Sequence, residues 1–205
     1  ILNLSSSMQI QQAMLARGDR SNFTKCMQVS HVEVNGKVLG VVGAGTIGRE
    51  VIKVAQALGM KVLAYTRTPR ADEDNLKYVS LEELLKQSDY ISLHCPLTPQ
   101  TRHMINKETI AMMKPTAYII NTGRGALIDE PALIEALKEG RIAGAGLDVQ
   151  ETEPPVQDNP LYDMPNVILT PHMGWKGLET RQRLVSILAA NIQAFDEGRP
   201  QNVVS

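Results

Sequence analysis

The chain predicts an α/β fold, a doubly wound parallel sheet with helices on both faces, and three observations carry that expectation. Short apolar runs alternate with helical patterns at the spacing of βαβ units. The first run, Val38 to Val42, ends in a G-x-G-x-x-G turn, Gly43-Ala44-Gly45-Thr46-Ile47-Gly48, and a helical pattern follows at once. Unusual polar residues, Thr66, Cys95, Arg124, Asp148 and His172, fall where the runs end. Ligands in such folds bind outside the carboxyl ends of strands.

The glycine turn is the strongest element. Strand, tight turn and helix N-terminus in that order fit a dinucleotide site of the Rossmann type. There Gly43 permits the turn, Gly45 lets backbone approach a pyrophosphate, and Gly48 lets the helix pack on the strand. Unpaired N–H groups and the helix dipole both favour negative charge at that point. Ile47, Val51, Val54, Ala55 and Leu58 share one helical face, and Gly59 is the expected stop.

The remaining elements follow in order. Residues 1–17 suit a modest helix with Met8, Ala13, Met14 and Leu15, and residues 18–36 read as a polar arm. Lys61 to Tyr65 is a second strand. Acidic residues at Asp72, Glu73 and Asp74 read as a solvated loop, and Ser80 to Glu83 is a capping-box pattern opening a helix. Tyr90 to Leu93 is a strand, Asn106 to Met113 a helix stopped by Pro115, and Ala117 to Ile120 a strand. Asp129 caps a helix with Leu133, Ile134 and Leu137 inward and Gly140 as its stop. Ala143 to Val149 and Val167 to Thr170 are the last strands. A long helix from Gly177 to Glu197 carries Leu184, Val185, Leu188, Ile192 and Phe195 on one face. The organisation expected is an arm and linking helix (1–36), a dinucleotide-binding domain (37–176) and a C-terminal helix (177–205).

Composition narrows the function. Among 205 residues, 43% are hydrophobic and 21% charged, with a net charge of −1 and no basic cluster, so neither a nucleic-acid surface nor a membrane anchor is expected. No apolar run is long enough for a membrane span and no signal-peptide pattern opens the chain. Cys26 and Cys95 are isolated and form no metal spacing, so a reducing cytoplasm is expected and no metal.

A nicotinamide cofactor supplies hydride, so the protein must orient substrate and move one proton. Histidine suits proton movement near neutrality. His172 ends a strand between Pro171 and Met173-Gly174, although a histidine there taken alone is more often structural. His103 lies in a polar, surface-like stretch, His94 borders the cleft without titrating usefully, and His31 has no catalytic context. Arginine suits the carboxylate and developing oxyanion of a keto acid. Arg124 lies between Gly123 and Gly125, where backbone can come close to a ligand; a surface turn arginine is the plain alternative. Glu153 would orient His172, or is one more acid in an acidic loop beside Glu151. Where an NAD site usually places an acid, this chain has Thr66, followed by Arg67 and Arg70. That favours NADP over NAD by a narrow margin, with solvated arginines as the alternative.

Together, Gly43 to Gly48, His94-Cys95-Pro96-Leu97-Thr98, Asn121 to Gly125, Gly146 to Val149, Glu151 to Pro154 and Thr170-Pro171-His172 resemble the D-isomer-specific 2-hydroxyacid dehydrogenases. Pro171 to Trp175 and Gly198 to Val204 are most similar to the glycerate dehydrogenase, or hydroxypyruvate reductase, branch. The resemblance implies that Arg124 binds the substrate carboxylate and carbonyl, that His172 exchanges the proton, and that Glu153 pairs with it. It implies that Asp148 holds the nicotinamide carboxamide and that Thr46 and Ile47 meet the pyrophosphate. Cys95, Pro96, Thr101, Thr122, Gly123 and Gly174 would line the cofactor. It implies a homodimer acting on a small 2-keto or 2-hydroxy acid such as hydroxypyruvate or glyoxylate. Family members begin with a substrate-binding domain, of which only a remnant is expected here, so the chain reads as a truncated cofactor domain. A dinucleotide-sensing interaction module of the corepressor kind, or a catalytically incomplete fragment, are the alternatives.

Overall fold

The computed structural model describes residues 1–24, 29–68, 70–73 and 75–204. Cys26, and Asp74 of the acidic loop, lie outside the described residues. The chain divides into two compact units, Ile1–Thr170 and Pro171–Ser205.

The first unit is a seven-stranded, wholly parallel sheet. Its strands are β1 (Val38–Val42), β2 (Lys61–Tyr65), β3 (Leu76–Tyr78), β4 (Tyr90–Leu93), β5 (Tyr118–Asn121), β6 (Gly144–Leu147) and β7 (Val167–Leu169), in spatial order β3-β2-β1-β4-β5-β6-β7. The doubly wound sheet predicted from the alternating pattern is therefore present, with one strand more than expected. β3 is a three-residue edge strand whose Leu76-Lys77-Tyr78 carries too short an apolar signal to stand out beside the acidic loop.

Side chains alternate between the two faces, as the strand period requires. Leu39, Val41, Val62, Ala64 and Tyr90 enter one core with Ile52 and Ala55 of α4 (Thr46–Ala57). Val42, Leu63, Ile91, Leu93 and Ile119 enter the other. That second core is closed by α5 (Leu81–Gln87), α6 (Lys107–Ile110) and α7 (Glu130–Lys138). Helix caps follow the sequence: Ser80 accepts from the Glu83 amide at 3.1 Å and Asp129 from the Ala132 amide at 3.2 Å. The helix expected over Asn106 to Met113 is shorter, because a capping box between Asn106 and Thr109 starts it and only turns continue past Ala111.

Two expectations about helix faces are corrected. The modest N-terminal helix is two pieces, α1 (Leu2–Ser5) and α2 (Met8–Ala16), broken where Ser7 takes a left-handed conformation and donates its hydroxyl to the Ser30 carbonyl. On α4 the buried stripe is Gly48, Ile52 and Ala55, whereas Ile47 is 69% and Val54 60% exposed. Gly48 has no side chain and seats the helix on the turn before it, which rotates the Ile47–Val54 row away from the sheet. That row borders an apolar groove of about 640 Å³ shared with Leu2 and Leu4 of α1 and Ile120, Leu147 and Ile168 of the sheet. A further short helix, α3 (Ser21–Thr24), lies in the arm. The second unit contains α8 (Leu178–Asp196), whose apolar residues, including Leu184, Val185, Leu188, Ile192 and Phe195, are exposed.

At the amino end of the sheet, Asp89 accepts from the Val38 amide and from Lys114 Nζ, both at 2.8 Å. Burial pushes the Asp89 carboxyl up, but the Lys114 and Val38 bonds and the charges of Lys114 and Lys37 outweigh it and hold it below the usual carboxylate value. A lowered folded-state value contributes stability that is present above the unfolded value and is lost as pH falls through the folded one. Asp89→Ala is expected to cost about 1–2 kcal/mol at neutral pH. In denaturant titrations that difference should shrink as pH falls through and below the ordinary carboxylate range.

Candidate cofactor and substrate site

The order of strands reverses between β1 and β4, which opens a crevice beyond their carboxyl ends. The glycine turn fills the entrance. The Gly43 amide donates to the Tyr65 carbonyl at 2.9 Å and the His94 amide to the Val42 carbonyl at 2.8 Å, tying the turn to both neighbouring strands. Gly43 has φ of 100°, and a Cβ there would lie 2.7 Å from the Cys95 nitrogen. A Cβ on Gly48 would lie 2.1 Å from the Gly43 carbonyl oxygen, so its closest neighbour is the turn and only then Val41, at 3.4 Å. Over Gly45 there is open space. No side chain caps α4, whose N-cap is Gly45, and Thr46 and Ile47 are exposed in its first turn. Free amides, a dipole and an unobstructed approach fit a pyrophosphate.

After β2, Thr66 donates its hydroxyl to the Thr68 carbonyl at 2.7 Å. Arg67 and Arg70 are exposed and make no ion pair among the described residues. The nearby acids are engaged elsewhere: Asp72 accepts from the Tyr78 amide at 2.8 Å, and Glu73 pairs with Arg49 at 3.2 Å.

After β4, His94 Nε2 lies 2.8 Å from Ser92 Oγ, and burial lowers its pKa, which keeps the ring neutral at physiological pH. Burial also pushes the Cys95 thiol up, away from thiolate reactivity. Thr101 donates its hydroxyl to the Pro96 carbonyl at 2.7 Å and accepts from the Thr98 amide at 2.8 Å. That hydroxyl therefore shapes the loop bordering the crevice. His103, expected at the surface, is half-buried and contacts Glu151 Oε1 at 2.6 Å.

After β5, buried Asn121 holds the next turn. Its amide donates to the Arg124 carbonyl at 2.9 Å and its oxygen accepts from the Gly123 amide at 3.0 Å. Thr122 and Arg124 are exposed, and Arg124 Nη1 donates to the Gly123 carbonyl at 2.8 Å. The flanking glycines were expected to admit a ligand. Gly125 instead admits the next loop, since a Cβ there would lie 1.9 Å from the Gln150 carbonyl oxygen. After β6, Asp148 is 7% exposed and accepts from Thr170 Oγ1 at 2.5 Å. Glu153 is exposed and accepts from the Gln150 amide at 3.2 Å.

The first unit thus gathers the glycine turn, Thr66, Cys95, Thr101, Thr122, Arg124, Asp148 and Glu153 on loops at the carboxyl edge of one sheet. His172 and Gly174 belong to the second unit. There His172 has φ of 48°, a left-handed conformation uncommon for a residue with a Cβ. The turn after it is closed by a bond from the Lys176 amide to the Met173 carbonyl at 2.9 Å. The sequence missed Asn121, His103 and Glu151. Asn121 was legible in principle, since an Asn before a Gly-containing turn commonly bonds its own backbone. The other two meet across 48 residues, with no local signal. Among the described residues no His, Cys, Asp and Glu cluster could hold a metal ion.

A family model described as the NAD binding domain of D-isomer specific 2-hydroxyacid dehydrogenases matches residues 1–174. The chain is 50% identical over 176 residues to a hydroxypyruvate reductase of Blautia hydrogenotrophica, covering 85% of this chain and 55% of that protein. It is 49% identical over 174 residues to a glycerate dehydrogenase of Methylorubrum extorquens, covering 84% and 54%. The chain therefore spans about half the length of the curated relatives it matches. Among solved structures it superposes on a D-lactate dehydrogenase with NAD⁺ from Lactobacillus jensenii with a TM-score of 0.89 at 35% identity, covering 99% of this chain and 65% of that one. The family model covers the whole parallel sheet and the Gly43–Gly48 turn at its strand reversal: the chain belongs to the D-isomer specific 2-hydroxyacid dehydrogenase family.

Proposed function

We propose that this chain is the nicotinamide-cofactor domain of an enzyme that reduces a short 2-keto acid, hydroxypyruvate or glyoxylate, to the D-2-hydroxy acid. The observation that carries this reading is one sheet edge holding both an open phosphate-type turn and, two strands beyond β1, an exposed arginine on a side-chain-braced loop. The bound cofactor supplies the hydride. The residues of this chain do the rest. Gly43 to Gly48 and the first turn of α4 receive the pyrophosphate. Asp148, buried and already accepting from Thr170, presents a fixed acceptor for the carboxamide. Arg124, with only one N–H turned back to its own loop, offers the others to the substrate carboxylate and to the carbonyl oxygen as charge develops on it. His172 delivers the proton to that oxygen, and Glu153 is its partner in this reading. The proposal includes a cytoplasmic homodimer as the working form.

The cofactor is proposed to be NADP in preference to NAD. Thr66 removes the acid that would repel a ribose phosphate, and two exposed cations follow it while the local acids are engaged with Arg49 and Tyr78.

In the full-length protein, His172→Ala should lower kcat for hydroxypyruvate reduction by about 10²–10⁴-fold. Unchanged turnover would remove His172 from the proton step. Arg67→Asp should weaken NADPH by about tenfold or more while leaving NADH nearly unaffected. Fluorescence titration with both cofactors measures this, and equal effects would exclude a phosphate-binding role.

A further inference from the structure

Glu151 is an acid that the proposed chemistry does not use, yet it is where three loops of the first unit meet. Its Oε1 lies 2.6 Å from His103 Nε2 and accepts from Arg102 Nη2 at 3.3 Å. Its Oε2 takes the Glu130 amide at 3.4 Å, and its own amide donates to Glu130 Oε2 at 3.1 Å. The side chain is 22% exposed, so these contacts are partly withdrawn from water.

Each partner belongs to a different part of the site. His103 ends the loop that begins at His94 and carries Cys95 and Thr101, and its amide donates to the Ala126 carbonyl at 2.9 Å, just after Arg124. Glu130 opens α7, which the Arg124 turn leads into. Glu151 lies on the loop of Glu153, and that loop touches the Arg124 turn at Gly125, where no Cβ fits. One carboxylate therefore spans the cofactor-side loop, the segment after the substrate arginine, and the loop of Glu153.

We propose that Glu151 is a positioning residue that acts through His103 to fix Arg124 and Glu153 relative to the cofactor-side loop. This rests on the keto-acid reductase reading above. The charge is not needed at the reacting atoms; its bonds hold the three loops in one arrangement. Losing them leaves Arg124 its donors but not its fixed place, and small misplacements of binding groups cost rate and affinity steeply.

The test uses the full-length protein. Glu151→Ala should raise the keto-acid KM about tenfold with kcat falling less than about threefold, and Glu151→Gln, which keeps an acceptor there, should recover most of the loss. His103→Ala should act in the same direction, and the double variant should be no worse than Glu151→Ala alone, since the two act as one unit. Unchanged KM in Glu151→Ala, or additive effects in the double variant, would overturn the proposal. A wild-type protein inactive on every keto acid would instead overturn the reductase reading. The clasp is then judged by amide hydrogen exchange: Glu151→Ala should speed exchange in 94–104 and 121–127 together. No change in either stretch would refute it.

Discussion

The site depends on a backbone-to-backbone contact. Where β1 ends, the chain turns so tightly that the Cα of residue 43 rests against the peptide leaving β4. A Cβ there would lie 2.7 Å from the Cys95 nitrogen, so only a residue without Cβ, able to adopt φ of 100°, can occupy the place. The second contact, Gly48 on the Gly43 carbonyl, is of the same kind and brings the start of α4 down onto the turn. With both in place, the first turn of the helix points its unbonded amides over Gly45 into clear space. Either contact relaxed by one methyl group would tilt the helix and close or displace that opening. The open, uncapped helix start is thus a consequence of packing.

Around that opening, polar side chains are largely used to shape loops. Asn121 braces the Arg124 turn from both sides, Thr101 closes its own loop, and Thr170 holds Asp148. Buried polar groups carry a large penalty when unpaired, so each such bond also selects one loop conformation over its alternatives. Among the described residues, the outward-facing groups include the Arg67 and Arg70 cations and Arg124, which turns one N–H back to its own loop. The loops that carry them are braced by side-chain bonds of their own.

The strands were legible because sheets buried on both faces need continuous apolar runs, and Val38–Val42, Lys61–Tyr65 and Tyr90–Leu93 provide them. β3 was not, since an edge strand of three residues needs little apolar content. The face of α4 was misread by one position: apolar count favoured Ile47, Val54 and Leu58, but the absent side chain of Gly48 sets the rotation. Gly48 was expected to let the helix pack on the strand, but the apolar row was not phased against it. The placement of the motif glycines and strand-end residues at the carboxyl edge of the sheet was readable because each stands next to a recognisable turn. The close approach of the Gln150 backbone to Gly125 had no local signal. Glu151 and His103 could not be paired in advance, because the topology that makes them neighbours is the crossing from β4 to the loop after β6.

These two kinds of contact divide the work of the sheet edge in a way that bears on how such a domain can change. The turn and helix start are shaped mainly by main chain, so they are strict at Gly43 and Gly48, where no Cβ fits, while Gly45 faces open space and Thr46 and Ile47 are exposed. The loops after β2 and β5 are held instead by side-chain hydrogen bonds of Thr66 and Asn121. Thr66 bonds within its own loop, its hydroxyl donating to the Thr68 carbonyl. Arg124 is different. Its turn is fixed by Asn121 within the strand end and by the Gln150–Glu151 loop across a gap that admits no side chain at 125. A substitution at residue 66 is thus a local event, whereas one that moves the Arg124 turn reaches two neighbouring loops, through Gly125 and through Ala126.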